Sequence, residues 1–387
     1  MQTQKLGFPN ISIKLFQDYN AWLENRFLEL GATFVCLTMR DGIYGNNEAR
    51  LQFYDTKNLH TKLDGDQILQ ISVSNANTET VLTRLYASKN TSVSVDQKGD
   101  NIITVQMIPI YKNRNLKFSR TFFPNATESV EKMIEVLYLE KPLLAPKITG
   151  VNIHVPVVPW VLGITDYFDY IRDVGLSVAS DSFPFVWEDI YGIHLSDFQS
   201  ITAQEPSVFV VGEPSTIGQF ADQLEYPLAY DFNWLAKSNS YNRDPFANAT
   251  IYTYSMIDKN CTRIVTGNGE NSVSVSRSGG YADQIYRNGY EEATRISTMS
   301  QYDSYAECKT YGDFTLVPGK KLEFYDQKNQ FLSSFFIDEV IHEITNNSSV
   351  TNMYMFSNSK HLTPVDHPKV KNELKSNSST EESDNQQ

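Results

Sequence analysis

Residues 318–356 constrain the fold of this 387-residue chain more than any other stretch. Pro318-Gly319 makes a turn, and Leu322 and Phe324 then alternate with polar neighbours, the pattern of a half-buried strand. Phe335 and Ile337 continue the alternation, but at Asp338-Glu339 the apolar phase slips by one, to Val340, His342 and Ile344. A one-residue slip inside a strand marks a β-bulge, and bulges bend a sheet towards closure. Asn346-Asn347-Ser348-Ser349 is a turn cluster, and residues 350–356 are apolar enough for a central strand. The stretch reads as the closing meander of a small antiparallel barrel.

The same order of parts occurs near the N-terminus. Asp64-Gly65-Asp66-Gln67 turns, and Leu69, Ile71 and Val73 alternate behind it. Leu85 and Ala87 carry a second strand; Val93 and Val95, a turn at residues 96–100, then Ile103, Val105 and Met107 form a hairpin. Repetition is sought before any fold is assigned. No residue identity links the two copies, so duplication and convergence both fit the pattern.

A chain of this length holds two or three domains of ~150 residues. Its 41% hydrophobic content, with 22 Phe and 22 Tyr, fills several cores. No stretch nears the ~20 apolar residues of a membrane span, and residues 1–6 lack the apolar region of a secretory signal. Cys36, Cys261 and Cys308 are odd in number and far apart, which fits synthesis in a reducing cytoplasm. The 33 basic and 46 acidic residues give −13, a charge that repels nucleic acid and excludes an ordinary DNA binder.

Strands dominate residues 8–54: Ile11, Ile13 and Leu15 alternate, 27–39 is β-branched and aromatic, Arg40-Asp41-Gly42 turns, and 51–53 starts again. Residues 21–24 read as a short helix. Beyond Pro109 helices appear. Asn125 with Glu128 resembles a cap and its partner, with Val130, Met133, Ile134 and Leu137 at helical spacing behind. Thr165 caps a second helix with Ile164, Phe168, Ile171 and Val178 on its apolar face. A third spans 215–224, and the longest spans 282–308. From Lys371 onward one leucine and no aromatic remain, so the end of the chain reads as a disordered acidic tail.

The chemistry-bearing patterns dissolve one by one. His342-Glu343 lacks a second zinc ligand, because Asn346 stands four residues on, and His342 reads as a strand histidine. His361 and His367 are too loosely spaced for a metal site, and His60, His154 and His194 are isolated. Ser215 follows Pro214 and is a helix cap rather than a nucleophile. Gly267-Asn268-Gly269 is followed by the strand-like Val273 and Val275 instead of a helix. Trp187-Glu188-Asp189 offers an aromatic beside two acids, as sugar clefts do, but neighbouring strand residues face opposite ways. The sequence therefore assigns no catalytic, cofactor-binding or metal-binding residue, and no cofactor.

Eight stretches carry a family resemblance: TMRDGIYGNNEARLQFYD (38–55), SVSVDQKGDNI (92–102), GEPSTIGQF (212–220), YPLAYDFNWL (226–235), RDPFANATIY (243–252), GENSVSVSRSG (269–279), YRNGYEEATR (286–295) and YDQKNQFLSSFFIDEVIHEIT (325–345). Over nearly its whole length the chain resembles the central baseplate hub proteins of T-even-type contractile-tailed bacteriophages. Departures lie around Glu79, 146–162 and Cys261.

The resemblance implies a mainly β, α+β chain with two related antiparallel β-barrels of tail-tube type and a mixed middle region, assembled as a homotrimeric ring. Its transferred boundaries are barrel one at 1–110, the middle region at 111–204 and 238–305, barrel two at 205–237 and 306–366, and the tail at 367–387. It implies a non-enzymatic adaptor at the centre of the virion baseplate, between a sixfold tail tube and a threefold cell-puncturing spike. Implied partners are the spike/lysozyme protein, tube and tube-initiating proteins, the tape measure and other hub proteins. DNA would pass through without specific binding, and no membrane would be entered. The alternative from the residues is a cell-wall hydrolase or glycan-binding tail protein, favoured by aromatics and spare carboxylates.

Overall fold

A computed structural model describes residues 9–364 except 46, 76–79, 114–115, 120, 156–157, 178–181, 213–226, 237–248, 256–259, 266–267, 276–294, 296–297, 300, 303, 327–330, 347 and 359–362. The proposed tail, the proposed helix at 215–224, most of that at 282–308, and His361 and His367 lie outside these residues. Among the described residues no helix is long and apolar enough to cross a membrane.

The N-terminal part contains β1 (Asn10–Phe16), α1 (Tyr19–Leu23), β2 (Phe34–Gly42), β3 (Glu48–Tyr54), β4 (Ile68–Ser74), β5 (Leu82–Val95) and β6 (Asn101–Pro109). The middle part contains α2 (Ile110–Asn113), α3 (Ala126–Leu137), β7 (Lys147–Gly150), α4 (Ile164–Val174), β8 (Pro184–Asp189), β9 (Gly192–Asp197) and α5 (Phe198–Thr202). Then come β10 (Ser207–Val211), β11 (Leu228–Ala236), β12 (Ser304–Tyr311), β13 (Lys321–Asp326), β14 (Phe331–Thr345) and β15 (Ser349–Ser357).

The first six strands lie side by side in the order β1-β4-β5-β6-β3-β2. The last six repeat that order as β10-β13-β14-β15-β12-β11, and β14–β15 pairing with β10–β11 pairing closes them into a barrel. Taken in chain order, each strand of one set has its counterpart in the other. The repeat read from the turns is thus a repeat of topology. It departs in two ways: β10 runs parallel to both β13 and β11, whereas β1 is antiparallel to β4, and among the described residues no ladder joins β1 to β2 as one joins β10 to β11.

The phase slip in β14 is a bulge between Ile337 and Glu339 in its ladder with β15. Ahead of it, residues 331–336 pair with β13; behind it, 339–345 pair with β2 on the same edge. One strand therefore belongs to both barrels. Its side chains follow: Phe335, Ile337 and Val340 are buried in the core of the second barrel, and Ile344 in that of the first. The counterpart strand β5 bulges at the equivalent place, between Ser88 and Asn90. What the sequence divides into strands at Leu85–Ala87 and Val93–Val95 is this single bent strand.

The turn expected at Pro318-Gly319 is present, with Gly319 at φ +75° donating its N–H to Ile337 O at 2.8 Å. Other expectations need correction. Arg40-Asp41-Gly42 is the end of β2 and not a turn, because pairing with β14 extends the strand. Gly31–Thr33 forms a 3₁₀ turn within the stretch read as continuous strand. Gly163 caps α4 in place of Thr165, which lies inside the helix. Cys308 sits in β12, so no helix reaches it: alternate residues Ala306 and Cys308 fill the barrel, a period of two.

The helices α3 and α4 bury Val130, Met133, Ile134, Phe168 and Ile171 against Phe16, Trp22 and Leu85 of the first barrel. Phe183, Phe185, Trp187 and Phe198 of the middle part cover Phe336 and Phe356 on the outside of the second. Ile337 and Val340 are fully buried on either side of the bulge. Ile337→Asp and Val340→Asp each bury an unpaired carboxylate at a cost of several kcal/mol, against a total of ~5–15 kcal/mol for a domain. Both variants are expected to be lost from the soluble fraction on expression; normal yield and melting of both would show that the strand is not central.

Candidate functional site

The described residues bring chemistry-bearing side chains together at the junction between the two barrels and the middle part. Arg84 on β5 is 6% exposed and donates from Nη1 to Asp41 Oδ1 at 2.6 Å and from Nε to Glu188 Oε1 at 3.1 Å. Asp41 ends β2 and Glu188 lies on β8, so one guanidinium ties two strands of the first barrel to the middle sheet. Tyr111 of α2 donates its hydroxyl to Glu188 Oε2, and Asn47 donates to Asp41 Oδ1 (3.0 Å) and to Glu188 O. Lys112 Nζ reaches Gly45 O at 2.7 Å, and Arg172 Nη1 reaches Val186 O at 3.3 Å.

Burial opposes the charge on Arg84, but Asp41 and Glu188 outweigh it and hold the pKa above the ordinary arginine value. Burial and then the Glu188 charge push the Tyr111 hydroxyl up, so it remains a donor. Every carboxylate in this cluster has a partner and is closed to solvent. Such a site is built as a clamp.

The second half of the junction is the β2–β14 ladder. Arg40 Nη2 pairs with Glu339 Oε2 at 2.7 Å, and the Ile43 N–H donates to Asp338 O at 2.9 Å. Burial, then the neighbouring Glu339 charge, raises the Asp338 carboxyl to about 6. Burial, then Asp338, pushes Tyr44 up to about 12.

Of the candidates from the sequence, Ser215, Gly267, His361 and His367 lie outside the described residues, and those at residues 187–194 and 342–346 have definite places here. His342 is buried, shares a hydrogen with Thr351 Oγ1 at 3.0 Å and packs on Phe314 with ring centroids 4.9 Å apart. Burial lowers its pKa, leaving it neutral. Asn346, in the position a zinc ligand would take, donates to Phe34 O at 2.9 Å. Glu188 and Asp189 face apart, Glu188 to Arg84 and Tyr111, and Asp189 to Trp187 Nε1 (3.2 Å) and His194 Nε2 (2.9 Å). His194 also stacks on Trp187. Arg84 and Asp41 were not singled out by the sequence as a pair. The available signal was an arginine inside an apolar strand run, which must find buried partners.

Family models describing baseplate structural protein domain 1 and domain 2 match residues 4–198 and 201–373. The chain belongs to the baseplate structural protein family. This bears out the resemblance to baseplate hub proteins and makes the chain a virion tail component. No curated protein sequence matches. Among solved structures, the tail protein of Neisseria meningitidis MC58 is similar at TM-score 0.55 and 7% identity, over 91% of this chain and 97% of that one. The 43 kDa tail protein of prophage MuSo2 from Shewanella oneidensis is similar at TM-score 0.50 and 10% identity, over 92% and 98%. At such identities the likeness is one of fold, and the fold is that of phage tail proteins.

In this baseplate protein the clamp is expected to dominate the stability of the junction. Arg84→Met leaves two buried carboxylates without their counter-charge and is expected to cost about 3–5 kcal/mol in denaturant unfolding. Adding Asp41→Asn and Glu188→Gln recovers a large part of the loss; no recovery would mean that packing, and not charge, is what Arg84 supplies.

Asp338 gives a pH dependence of known sign. Its proton is bound more tightly in the folded chain than in the unfolded one, where a carboxyl titrates near ~3.9, so stability falls as pH rises from about 4 through about 6. Asp338→Asn removes this loss. The Tm difference between variant and parent is expected to be near zero at pH 4 and to grow to a few degrees by pH 7, on the order of 1–2 kcal/mol. A difference that does not change with pH would contradict the burial of Asp338.

Proposed function

We infer that this chain is the hub of a contractile tail baseplate, acting as a ring of three copies between a sixfold tube and a threefold spike. The observation that carries the reading is the strand order written twice and joined through β14. Three copies present six similar units to a tube and three identical whole chains to a spike. Closed cyclic assembly is the usual solution for such an adaptor.

The partners that follow are the cell-puncturing spike protein on one face and tube and tape-measure proteins on the other. The chain is made and assembled in the host cytoplasm. The ring's channel passes DNA and does not hold it. The formal charge of −13 per copy supports this, because each neutralised phosphate adds a counterion-release gain that impedes movement. A carboxylate-lined wall within roughly one Debye length, ~8–10 Å, centres a duplex without a deep well.

Light scattering of the purified chain, alone and mixed with the spike protein, is expected to give the mass of three copies. A single-copy mass under both conditions excludes the ring. Duplex DNA titrated into the ring at low salt is expected to show no binding at micromolar concentration. Salt-sensitive micromolar binding would refute the non-holding channel while leaving the ring intact, and lysis of bacterial walls by the chain alone would restore the hydrolase alternative.

A further inference from the structure

The first barrel ends in a cleft that neither the clamp nor the shared strand uses. It encloses about 580 Å³, within the roughly 300–1,000 Å³ of ligand pockets, for which the mouth of a barrel is a common place. Leu15, Leu28, Leu59 and Leu63 make its floor: Leu15 belongs to the core of the first barrel, and the other three pack against that core while half-buried. Two local turns bring them together. After α1 the chain reverses through Asn25, at φ +56°, so that Leu28 pairs with Leu15 of β1. After β3 it passes through Asn58, at φ +53°, into a 3₁₀ turn at Leu59–Thr61, whose first N–H donates to Asp55 Oδ1 at 2.6 Å. Asparagine takes this left-handed backbone more readily than most residues.

The rim carries a different chemistry. The ionisable side chains that line the cleft are Arg26 and Lys62, in a chain where acids outnumber bases 46 to 33. The neighbouring carboxylates are engaged: Glu24 with Arg26, Glu29 with Ser12 Oγ (3.1 Å) and the Ile13 N–H (3.2 Å), and Asp64 with Gln67 Nε2 and the Asp66 N–H (3.3 Å). Lys14 adds a third cation, its Nζ 4.4 Å from the centre of the Phe27 ring, which is 41% exposed. Gln17 and Asn25 also line the cleft, and their side-chain amides have no partner among the described residues.

These features select a ligand. The apolar floor takes a leucine-like side chain, the free amides match the N–H and C=O groups of an extended backbone, and Arg26 and Lys62 favour carboxylates. A fatty acid would leave the amides unused, and a nucleic acid would leave the floor unused. We propose that this cleft docks an extended segment of a partner protein, with an apolar side chain on the leucine floor and an acidic residue beside it against Lys62 and Arg26. The docking does not depend on the ring proposed above, since every residue it uses lies within one barrel of one chain.

The test selects peptides from a random library on the full-length chain and measures their affinity by fluorescence anisotropy. The recovered peptides are expected to pair a large apolar residue with Asp or Glu. Their affinity is expected to fall ~10-fold in Arg26→Gln with Lys62→Gln, by a similar factor in Leu63→Ala, and with added salt. Melting of each variant, measured alongside, separates lost binding from lost folding. Arg50→Gln, on an exposed position of β3, is expected to leave the affinity unchanged. Recovery of basic peptides, no enrichment at all, or an affinity indifferent to the cleft variants overturns the proposal. Tighter binding by a chain ending at Asp366 would assign the cleft to residues 367–387 of this chain, and variant-sensitive binding to phosphatidylglycerol vesicles in place of peptides would assign it to a membrane; either excludes a partner protein. Mass in solution does not enter this test, so a failure of the docking and a failure of the ring are read apart.

Discussion

The backbone ladder between β2 and the second half of β14 is the interaction on which the rest of the molecule depends. Without it the two barrels would be held together only through the middle part that packs on both. With it, seven residue pairs make one sheet run from the first barrel into the second. The bulge at Asp338 makes this possible. An unbulged strand would keep its edge on β13 or leave it altogether; the extra residue bends the strand so that its edge passes from one partner to the next. The high pKa of Asp338 is the cost of placing a carboxylate at that bend.

A ladder alone leaves rotation about the shared strand, and the ionic clamp opposes it. Arg84, Asp41 and Glu188 come from three elements, and each hydrogen bond specifies one direction. Apolar contacts would stabilise the junction as well, since a buried ion pair is often no more stable than a well-packed hydrophobic replacement. They would tolerate sliding, which a planar guanidinium between two carboxylates does not. Under the proposed role, which is to hold six units in register, direction matters more than the last few kcal/mol.

Much of this was legible in the residues. The phase slip at Asp338-Glu339 located the bulge, and the alternation of Leu322, Phe324, Phe335 and Ile337 located the second barrel core. Asn125 as a cap gave α3, because a side chain accepting from Thr127 N–H is a local event. What stayed hidden was non-local. Arg40-Asp41-Gly42 has the composition of a turn, and only pairing with a strand some 300 positions away keeps it extended. The clamp joins residues 41, 84 and 188, three positions whose separation carries no period. The parallel course of β10 was equally out of reach, since a short apolar run such as residues 207–211 reads alike in either direction.

The differences between the two copies of the fold matter as much as their likeness. Two identical barrels in tandem would expose identical edges at both ends, and any copy could then join any other, which is the route to open filaments. Here β10 closes the second barrel, helices α3 and α4 cover one side of the first, and the Phe183–Phe198 cluster covers the outside of the second. Each barrel is therefore approached from a different set of directions. In the adaptor role proposed above, the same topology would supply equivalent units to a tube, and the unequal coverings would let a whole chain be read as one unit by a partner of lower symmetry. Adaptation between symmetries needs both properties in one polypeptide, and a repeated strand order with divergent cladding provides them.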